Sequence, residues 1–146
     1  MPRAWFPVLP VAKGRPRAVR FGNRGRMITP PKTRRAEAVF AALAAHHPDA
    51  PVVPMGGPLR VSLEFLFPVP KSWPKWKRAA ALAGEWRNQG KPDVDNLAKL
   101  CLDALQPGWF GDDRQVVDLR ARKGYAEAPG VWLEWEELPQ AERRKP

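Results

Sequence analysis

Residues 94–105 constrain the fold most, because their apolar residues repeat with the period of an α-helix. Pro92, just before this stretch, has no backbone donor and favours an extended residue before it, so the chain should reach the helix from a strand or an extended loop. One face of the predicted helix is apolar and carries Leu97, Leu100, Cys101, Ala104 and Leu105. A helix buries such a stripe against a sheet, whereas Leu102 falls outside the stripe and is predicted to point outward.

The opposite face of this helix is charged. Asp95, Lys99 and Asp103 follow one another at i, i+4 and i+8. Asp93 should lie just before the helix, where its carboxylate is free to turn toward Asp95. Two carboxylates held close repel each other unless a cation joins them, and Mg²⁺ or Mn²⁺ suits a site of oxygen ligands. The lysine one turn after Asp95 could orient a phosphate or stabilise charge that develops on it.

Other interpretations of these acidic residues stay open. Asp93 could be an ordinary helix N-cap, and the three charged residues that follow could form a solvated ladder of ion pairs. A calcium-binding loop that starts at Asp93 fits less well, because it lacks the glycine at loop position six and the acid at position twelve.

A second acidic pair, Asp112-Asp113, stands just before a predicted strand that runs from Gln115 to Lys123. Pro107-Gly108 predicts a turn after the helix, and Trp109-Phe110 then lead into the pair. Such a pair can simply begin a turn. Its position gives it more weight, because the rim of a sheet could bring it beside Asp93. We expect Trp109 and Phe110 to be buried.

The net charge of +10, from 25 basic and 15 acidic residues, is concentrated near the N-terminus. No Asp or Glu precedes Glu37, and a field of this kind attracts polyanions such as nucleic acid. Residues 12–33 are also rich in Gly and Pro and have no period, so we expect a basic arm or loop that lies against DNA and orders fully on binding. The alternative is a basic tail with no specific role. The predicted DNA contacts in this segment are Lys13, Arg15, Arg17, Arg20, Arg24, Arg26 and Lys32.

Residues 68–90 interleave tryptophan with basic residues. Lys75 and Lys77 are predicted DNA contacts, because aromatic rings among cations can stack on unpaired bases while the cations hold phosphates. The alternative is that Trp73 and Trp76 pack onto the domain one helical turn apart.

The periodic segments together predict a single α/β (α+β) domain that spans residues 1–146, with a small mixed or antiparallel sheet. Strands are predicted near residues 5, 60, 115 and 131, and the last two should form a hairpin. Helices near residues 36 and 95 would pack on the sheet, and a shorter helix is predicted at 74–84. The first helix would start at Thr33 as N-cap and end at two histidines that bond its last carbonyls. We expect residues 139–146 to be a frayed tail.

Cysteine and hydropathy patterns indicate the environment of the chain. Cys101 is the one cysteine, so no intrachain disulfide can form, and a reducing cytoplasm is expected. No apolar run approaches the length of a membrane span, and the N-terminus lacks the apolar region of a signal peptide.

The acidic residues fall within three segments: Lys91–Lys99 (KPDVDNLAK), Leu102–Leu105 (LDAL) and Phe110–Val117 (FGDDRQVV). These segments closely resemble the RusA family of Holliday junction resolvases, which are small endonucleases of phages and prophages. Val11–Arg17 (VAKGRPR) and Thr29–Thr33 (TPPKT) are similar to the N-terminal part of the same family. The acidic core is the most specific part of the resemblance.

The resemblance implies a homodimer that cuts four-way DNA junctions with Mg²⁺ held by aspartates. The paired catalytic aspartates of the family match Asp93 and Asp95, and its functional lysine matches Lys99. Its third catalytic aspartate matches Asp113, with Asp112 as a neighbouring candidate metal ligand. The spacer before this pair varies within the family, so both members stay candidates.

We therefore expect a Mg²⁺-dependent endonuclease that resolves branched DNA by paired symmetrical nicks in recombination and repair, with Leu102 as a candidate dimer contact. A non-enzymatic, basic DNA-binding accessory protein is the alternative. A metal nuclease of the broad Pro-Asp…(Asp/Glu)-x-Lys type fits less well, because Lys99 lies four residues after Asp95 instead of two. The glycines of the basic segment lack the strand-turn-helix setting of a cofactor-binding loop.

Overall fold

Residues 59–68 form a strand in the interior of the sheet, and the predicted strand near residue 60 is confirmed. The structure is a computed structural model that describes residues 1–14, 17–22, 24–28 and 30–143, with the backbone alone at 17, 19, 21 and 24. The strands are β1 (Arg3–Phe6), β2 (Arg17–Phe21), β3 (Arg24–Ile28), β4 (Leu59–Pro68), β5 (Val116–Ala126) and β6 (Gly130–Glu137). The helices are α1 (Pro31–Ala45), α2 (Lys75–Leu82) and α3 (Val94–Ala104), and a 3₁₀ turn covers Asp113–Gln115.

The main sheet is mixed, with the strand order β1-β6-β4-β5. Strand β4 runs parallel to β5 and antiparallel to β6, and β1 is an edge strand paired with β6. Along β4, Val61, Leu63 and Phe65 are buried under the helices, while Arg60 lies on the other face. The predicted α+β class with a small mixed sheet is confirmed.

The predicted hairpin of the last two strands is wrong. Within the described sheet, β5 and β6 pair with β4 on its two sides and not with each other, and residues 127–129 connect them across β4. Strands β4 and β6 take the two interior positions of the sheet, where each is paired along both edges. Four successive residues of β5, Val117–Arg120, are exposed, which suits an edge strand.

Helix α3 is buried on the face that its sequence predicts. The five apolar residues of the stripe are at most 7 % exposed. Leu102 is only 8 % exposed, so the prediction that it points outward as a dimer contact is wrong. Helix α1 packs against α3, and the buried arc of α3 is therefore wider than the stripe that faces the sheet. Burial raises the pKa of the Cys101 thiol, which behaves here as a small core side chain.

Helix α1 begins earlier than predicted. Pro30 is its N-cap residue and Pro31 its first residue, a position that needs no backbone donor and suits the fixed φ of proline. Thr33 is not the cap. Its buried Oγ1 accepts a hydrogen bond from Gly14 N at 2.8 Å and so holds the backbone at Gly14 against α1.

Both histidines at the end of α1 bond its last carbonyls, as predicted, through the backbone: His46 N donates to Ala42 O at 3.2 Å and His47 N to Ala44 O at 3.3 Å. The side chain of His47 instead bonds to β1. Its Nδ1 accepts from Asp49 N at 3.0 Å, so the other ring nitrogen, Nε2, carries the proton that it donates to Trp5 O at 3.0 Å. The ring packs beside Phe6 and Trp109, with centroid distances of 4.9 and 6.2 Å. The end of α1 is thereby fixed to the edge of the sheet.

Within the basic segment 12–33, β2 and β3 form an antiparallel hairpin that the sequence does not predict. The hairpin is a two-stranded sheet of its own, separate from the main sheet. Gly22 has a φ of 60° in its turn, a conformation that favours glycine.

The remaining elements agree with the sequence. Helix α2 follows Pro74 and lies inside the predicted range 74–84. Trp109 and Phe110 are buried, as expected, and Trp109 Nε1 donates to Ala44 O at 3.0 Å. Residues 139–143 form neither helix nor strand, and 144–146, the rest of the predicted tail, lie outside the described residues. Across the described ranges, no helix is long and apolar enough to cross a membrane.

Gly130→Ala is expected to destabilise the fold by about 1–3 kcal/mol, the usual cost of overpacking. A Cβ at this position would lie 2.0 Å from Cη2 of Trp5, whose ring covers the start of β6. Urea denaturation should separate this variant from the control Gly56→Ala, whose added Cβ meets nothing within 4 Å. In the double variant with Trp5→Ala the clash is gone, so Gly130→Ala should cost little stability in that background. If the losses of stability of the two single variants simply add up in the double variant, this explanation is contradicted.

Candidate active site

Asp93 and Asp95 lie at the N-terminus of α3 with exposed side chains. Asp93 is the N-cap residue, its backbone is extended (φ −70°, ψ 141°), and its carbonyl accepts from Leu97 N at 3.1 Å. Its carboxylate makes no capping hydrogen bond. Among the described residues, the ion pairs of α3 involve Lys99 and Asp103 but neither of these two carboxylates. Both carboxylates therefore face solvent without a neutralising side chain from the described part of the chain.

Lys123 of β5 holds the loop that leads to Asp93. Its Nζ donates to Gly90 O at 2.6 Å and to Pro92 O at 3.0 Å. Lys123 belongs to none of the motifs found in the sequence. The sequence contains a signal for Lys123. Since side chains alternate along a strand, Lys123 shares a face of β5 with Leu119 and Ala121, the face predicted to be buried, and a buried lysine needs a hydrogen-bonding partner.

Lys99 joins α3 to the second acidic pair. Its Nζ lies 3.0 Å from Asp113 Oδ2 and 3.2 Å from Asp103 Oδ1. These hydrogen bonds, to Asp113 first and then to Asp103, raise the pKa of Lys99, so it stays a cation at neutral pH. The side chain is 51 % exposed, and its ammonium is open to a ligand from solvent.

Asp103 is shared by two lysines. Besides Lys99, it pairs with Lys13 Nζ, which also lies 4.0 Å from Glu37 Oε2. The backbone N of Lys13 donates to Asn96 O at 3.0 Å, so the base of the basic segment is attached to α3. An ion-pair ladder on α3 thus exists between Lys99 and Asp103, but Asp95 is not part of it.

Gln115 fixes the loop that carries the second acidic pair. Its Oε1 accepts from the backbone N of Gly111 at 2.9 Å and of Asp112 at 3.0 Å. Its Nε2 donates to Met55 O at 2.9 Å and to Gly57 O at 3.0 Å. The loop is therefore held against residues 55–57 by one side chain, which the sequence analysis does not identify.

The two members of the acidic pair have different surroundings. Asp112 accepts from Arg114 through the backbone N at 2.8 Å and Nε at 3.2 Å, and these bonds lower the pKa of Asp112. Asp113 instead faces α3 and Lys99, and its backbone N donates to Gln106 Oε1 at 3.2 Å. Only Asp113 of this pair contacts a residue of α3 in the described part of the structure.

The donor set suits a hard divalent cation by its chemistry. Asp93, Asp95 and Asp113 offer carboxylate oxygens, the ligands that Mg²⁺ and Mn²⁺ take in proteins. Within the described ranges, no group of three or more His, Cys, Asp or Glu residues is already close enough to hold a metal. The ammonium of Lys99 supplies positive charge next to Asp113, while the first two carboxylates have no ion-pair partner among the described side chains. The donor atoms of these residues fit a hard divalent cation by their chemistry.

The predicted DNA contacts have different environments. Arg20, Arg26, Lys32 and Lys75 are exposed, whereas Lys13 is ion-paired as described above and Lys77 is half-buried against two tryptophan rings. Arg15 lies outside the described residues, as do the side chains of Arg17 and Arg24.

A cleft of about 550 Å³ separates the base of the basic segment from the loop before Asp93. Lys32 of α1 and Lys91 of that loop are its basic lining residues, and Gly14, Pro30 and Pro92 complete its walls. The cleft therefore links the basic segment with the N-terminus of α3.

Comparison with known proteins identifies the family of the chain. A Bacillus subtilis (strain 168) protein described as "Uncharacterized protein YqaN" is 37 % identical over 124 residues, which cover 84 % of this chain and 86 % of that protein. The family model described as "Endodeoxyribonuclease RusA" matches residues 7–135, a range that contains both acidic clusters and the basic segment. The chain therefore belongs to the RusA family of endodeoxyribonucleases, the Holliday junction resolvases.

Proposed function

We propose that this protein is a Mg²⁺-dependent endonuclease that resolves four-way DNA junctions by paired symmetrical nicks. The observation that carries the proposal is the bond between Lys99 and Asp113, because it joins the two acidic clusters of the sequence on one side of α3. Membership of a junction-resolvase family supports the choice of substrate. We expect the protein to act in DNA recombination and repair.

Asp93, Asp95 and Asp113 would hold the ion, with Asp112 as a further candidate ligand and Mn²⁺ as a possible substitute. A bound divalent ion would neutralise charge on the scissile phosphate and lower the pKa of a water molecule. The chain contributes the positions of the carboxylates. Gln115 and the backbone of the 3₁₀ turn fix the second pair, and Lys123 fixes the loop before the first.

Lys99 would hydrogen-bond a non-bridging oxygen of the scissile phosphate. Its ammonium is protonated, half exposed and held in place by Asp113 and Asp103. Charge that is oriented before the reaction stabilises a transition state without the cost of reorganisation. The exposed cations Arg20, Arg26 and Lys32 and the cleft beside Lys91 would bind the phosphates of the flanking arms.

A homodimer would place one such site on each of two opposed strands. A four-way junction has approximate two-fold symmetry, which a C2 dimer matches. Since Leu102 is buried in the core, it does not serve as the dimer contact.

A non-enzymatic DNA-binding protein is the second candidate. The observation that favours it is that Lys99 already neutralises Asp113 and that the described residues contain no ready group of three metal ligands. In that case the acidic residues would have a structural role, and function would be independent of metal.

Incubation with a synthetic immobile four-way junction and with linear duplex of the same sequence, in Mg²⁺ and in EDTA, tests the proposal. Paired nicks that occur only in the junction and only with Mg²⁺ are expected. Junction binding without nicking in Mg²⁺ or Mn²⁺ would favour the non-enzymatic protein, and equal cutting of the duplex would remove the junction as the specific substrate.

Lys123→Met is expected to slow junction nicking by about 10- to 100-fold, because small displacements of catalytic groups are costly. The variant loses the donor for the carbonyls of Gly90 and Pro92 while keeping the length of the side chain. Single-turnover rates and junction affinity should be measured separately, and the affinity should stay near the wild-type value. Lys123→Arg should restore part of the rate. The control Arg122→Met removes another cation of β5, which pairs with Glu64. If the control nicks as slowly as Lys123→Met, Lys123 does not act by positioning the loop before Asp93.

A further inference from the structure

Four aromatic side chains, Trp73, Trp76, Trp86 and Tyr125, cluster where α2 meets β5, and the proposed nuclease mechanism does not use them. The centroid of the Trp73 ring lies 5.4 Å from that of Tyr125 and 6.4 Å from that of Trp86. Trp86 in turn lies 6.1 Å from Trp76, and all three contacts are edge-to-face. This aromatic cluster packs on the sheet through Tyr125 and extends to solvent through Trp76.

Lys77 braces the cluster. Its Nζ lies 4.0 Å from the centroid of the Trp73 ring and 4.6 Å from that of Trp86. Both distances are within the range of a favourable cation–π contact. Lys77 therefore fixes the orientation of these two rings, and Trp86 in turn supports Trp76.

The outer part of the cluster is exposed. Trp76 is 64 % exposed and Trp86 39 %, whereas Trp109 is buried in the core and Trp135 packs against it. Large apolar side chains left in water are unfavourable unless another surface covers them, and grouped exposure of this kind marks interaction sites. A braced ring also loses little conformational entropy when a partner covers it.

The charge around the cluster indicates the class of partner. Between residues 71 and 91 the only acidic residue is Glu85. The basic residues of this range are Lys71, Lys75, Lys77, Arg78, Arg87 and Lys91. Aromatic faces among cations bind unpaired nucleic acid, because the rings stack on any base while the cations hold the phosphates. A strand with unpaired bases fits both the rings and the charge.

The aromatic cluster also lies beside the candidate active site. Tyr125 and Lys123 are two residues apart on β5, so their side chains leave the same face of the strand about 7 Å apart. Tyr125 contacts Trp73, and Lys123 holds the carbonyl of Pro92 next to Asp93. The Tyr125 end of the aromatic cluster therefore lies toward the loop before Asp93, and Trp76 lies at the other end of the cluster.

We propose that Trp76, backed by Trp86, stacks on an unpaired base at the branch point of the DNA and holds that strand beside Asp93. The inference rests on the proposed function for the identity of the substrate. Bases of a linear duplex are stacked on one another and would not reach the ring. Trp76 would thus favour branched or single-stranded DNA over duplex.

Fluorescence of 2-aminopurine placed at the branch point of the junction tests the inference, with EDTA present so that no strand is cut. Stacking on tryptophan quenches this base. Wild-type protein is expected to quench it, Trp76→Ala to leave it bright, and Trp76→Phe, which keeps a ring, to quench in part. Affinity of Trp76→Ala for a 12-nucleotide single strand should fall by about 10-fold, the size of one base–aromatic stack, with duplex affinity unchanged. Leu82→Ala, another exposed apolar residue of α2, is the matched control and should behave as wild type.

Quenching by Trp76→Ala equal to wild type, or an equal loss in Leu82→Ala, would overturn the inference. The measurement is independent of nicking. Wild-type nicking in Mg²⁺ together with unchanged quenching in Trp76→Ala would leave the nuclease proposal in place and remove the stacking role. If the wild-type protein does not nick but its quenching is lost in Trp76→Ala, the stacking role stays and the nuclease proposal is removed. Circular dichroism melting should confirm that Trp76→Ala folds, as its exposure leads us to expect.

Discussion

Asp93→Asn is expected to abolish junction nicking while the protein still binds the junction. The substitution keeps the size of the side chain and removes one of the two carboxylates that face solvent at the N-terminus of α3. We expect a loss of at least about 1000-fold, which corresponds to about 4 kcal/mol, since metal-based charge stabilisation supplies several kcal/mol. Removing a negative charge from a surface that must approach DNA should also leave affinity without metal unchanged or increased. Single-turnover nicking in Mg²⁺ and gel-shift binding in EDTA measure the two effects separately.

The matched control for this variant is Asp118→Asn. Asp118 is also an exposed aspartate, but it pairs with Arg60 on the face of the sheet that is turned away from α3. The control should nick at the wild-type rate. If Asp93→Asn also nicks at the wild-type rate, Asp93 has no part in the mechanism. If instead Asp93→Asn loses binding together with cleavage, the acidic pair is needed for the fold or for DNA contact and not for metal binding.

Local periodicity predicts the elements that carry the first half of the site. The stripe of α3 and the alternation of β4 are short-range patterns, because the side chains that share a face recur every three to four residues or every second residue. They place Asp93 just before the helix and Lys99 on its charged face, and the structure agrees on both positions. The contact between Lys99 and Asp113 is a different case, because it depends on how the chain returns to α3 after the turn.

Apart from the local β2–β3 hairpin, the main features that the sequence does not predict depend on contacts between distant segments. Residue alternation in β5 and β6 fixes which side chains share a face but not which strand lies between them, so the predicted hairpin is wrong. The burial of Leu102 follows from α1 covering a second side of α3. Lys123 and Gln115 act through backbone carbonyls of remote loops. The position of Lys123 in β5 indicates that it needs a partner, but carbonyls leave no pattern in a sequence that would identify which partner it has.

Lys99→Met is expected to slow junction nicking by about 100-fold with little effect on stability. The variant removes the ammonium that bridges Asp113 and Asp103 and keeps most of the volume of the side chain. A loss of this size is typical when one oriented group that stabilises a transition state is removed. The pair is half exposed, and exposed ion pairs contribute less than about 1 kcal/mol, so urea denaturation should show nearly wild-type stability.

Arg60→Met separates the chemical role of Lys99 from a structural one. Arg60 also bridges two carboxylates, those of Asp118 and Glu136, at 2.9 Å each, and it is about as exposed as Lys99. It lies on the face of the sheet away from α3, so its loss removes a comparable bridge without touching the site. We expect Arg60→Met to nick as wild type and Lys99→Arg, which keeps the charge in a different shape, to fall between wild type and Lys99→Met. Equal loss of nicking in Lys99→Met and Arg60→Met would mean that the Lys99 bridge acts through the stability of the fold. A selective loss in Lys99→Met at unchanged stability would place its ammonium at the scissile phosphate.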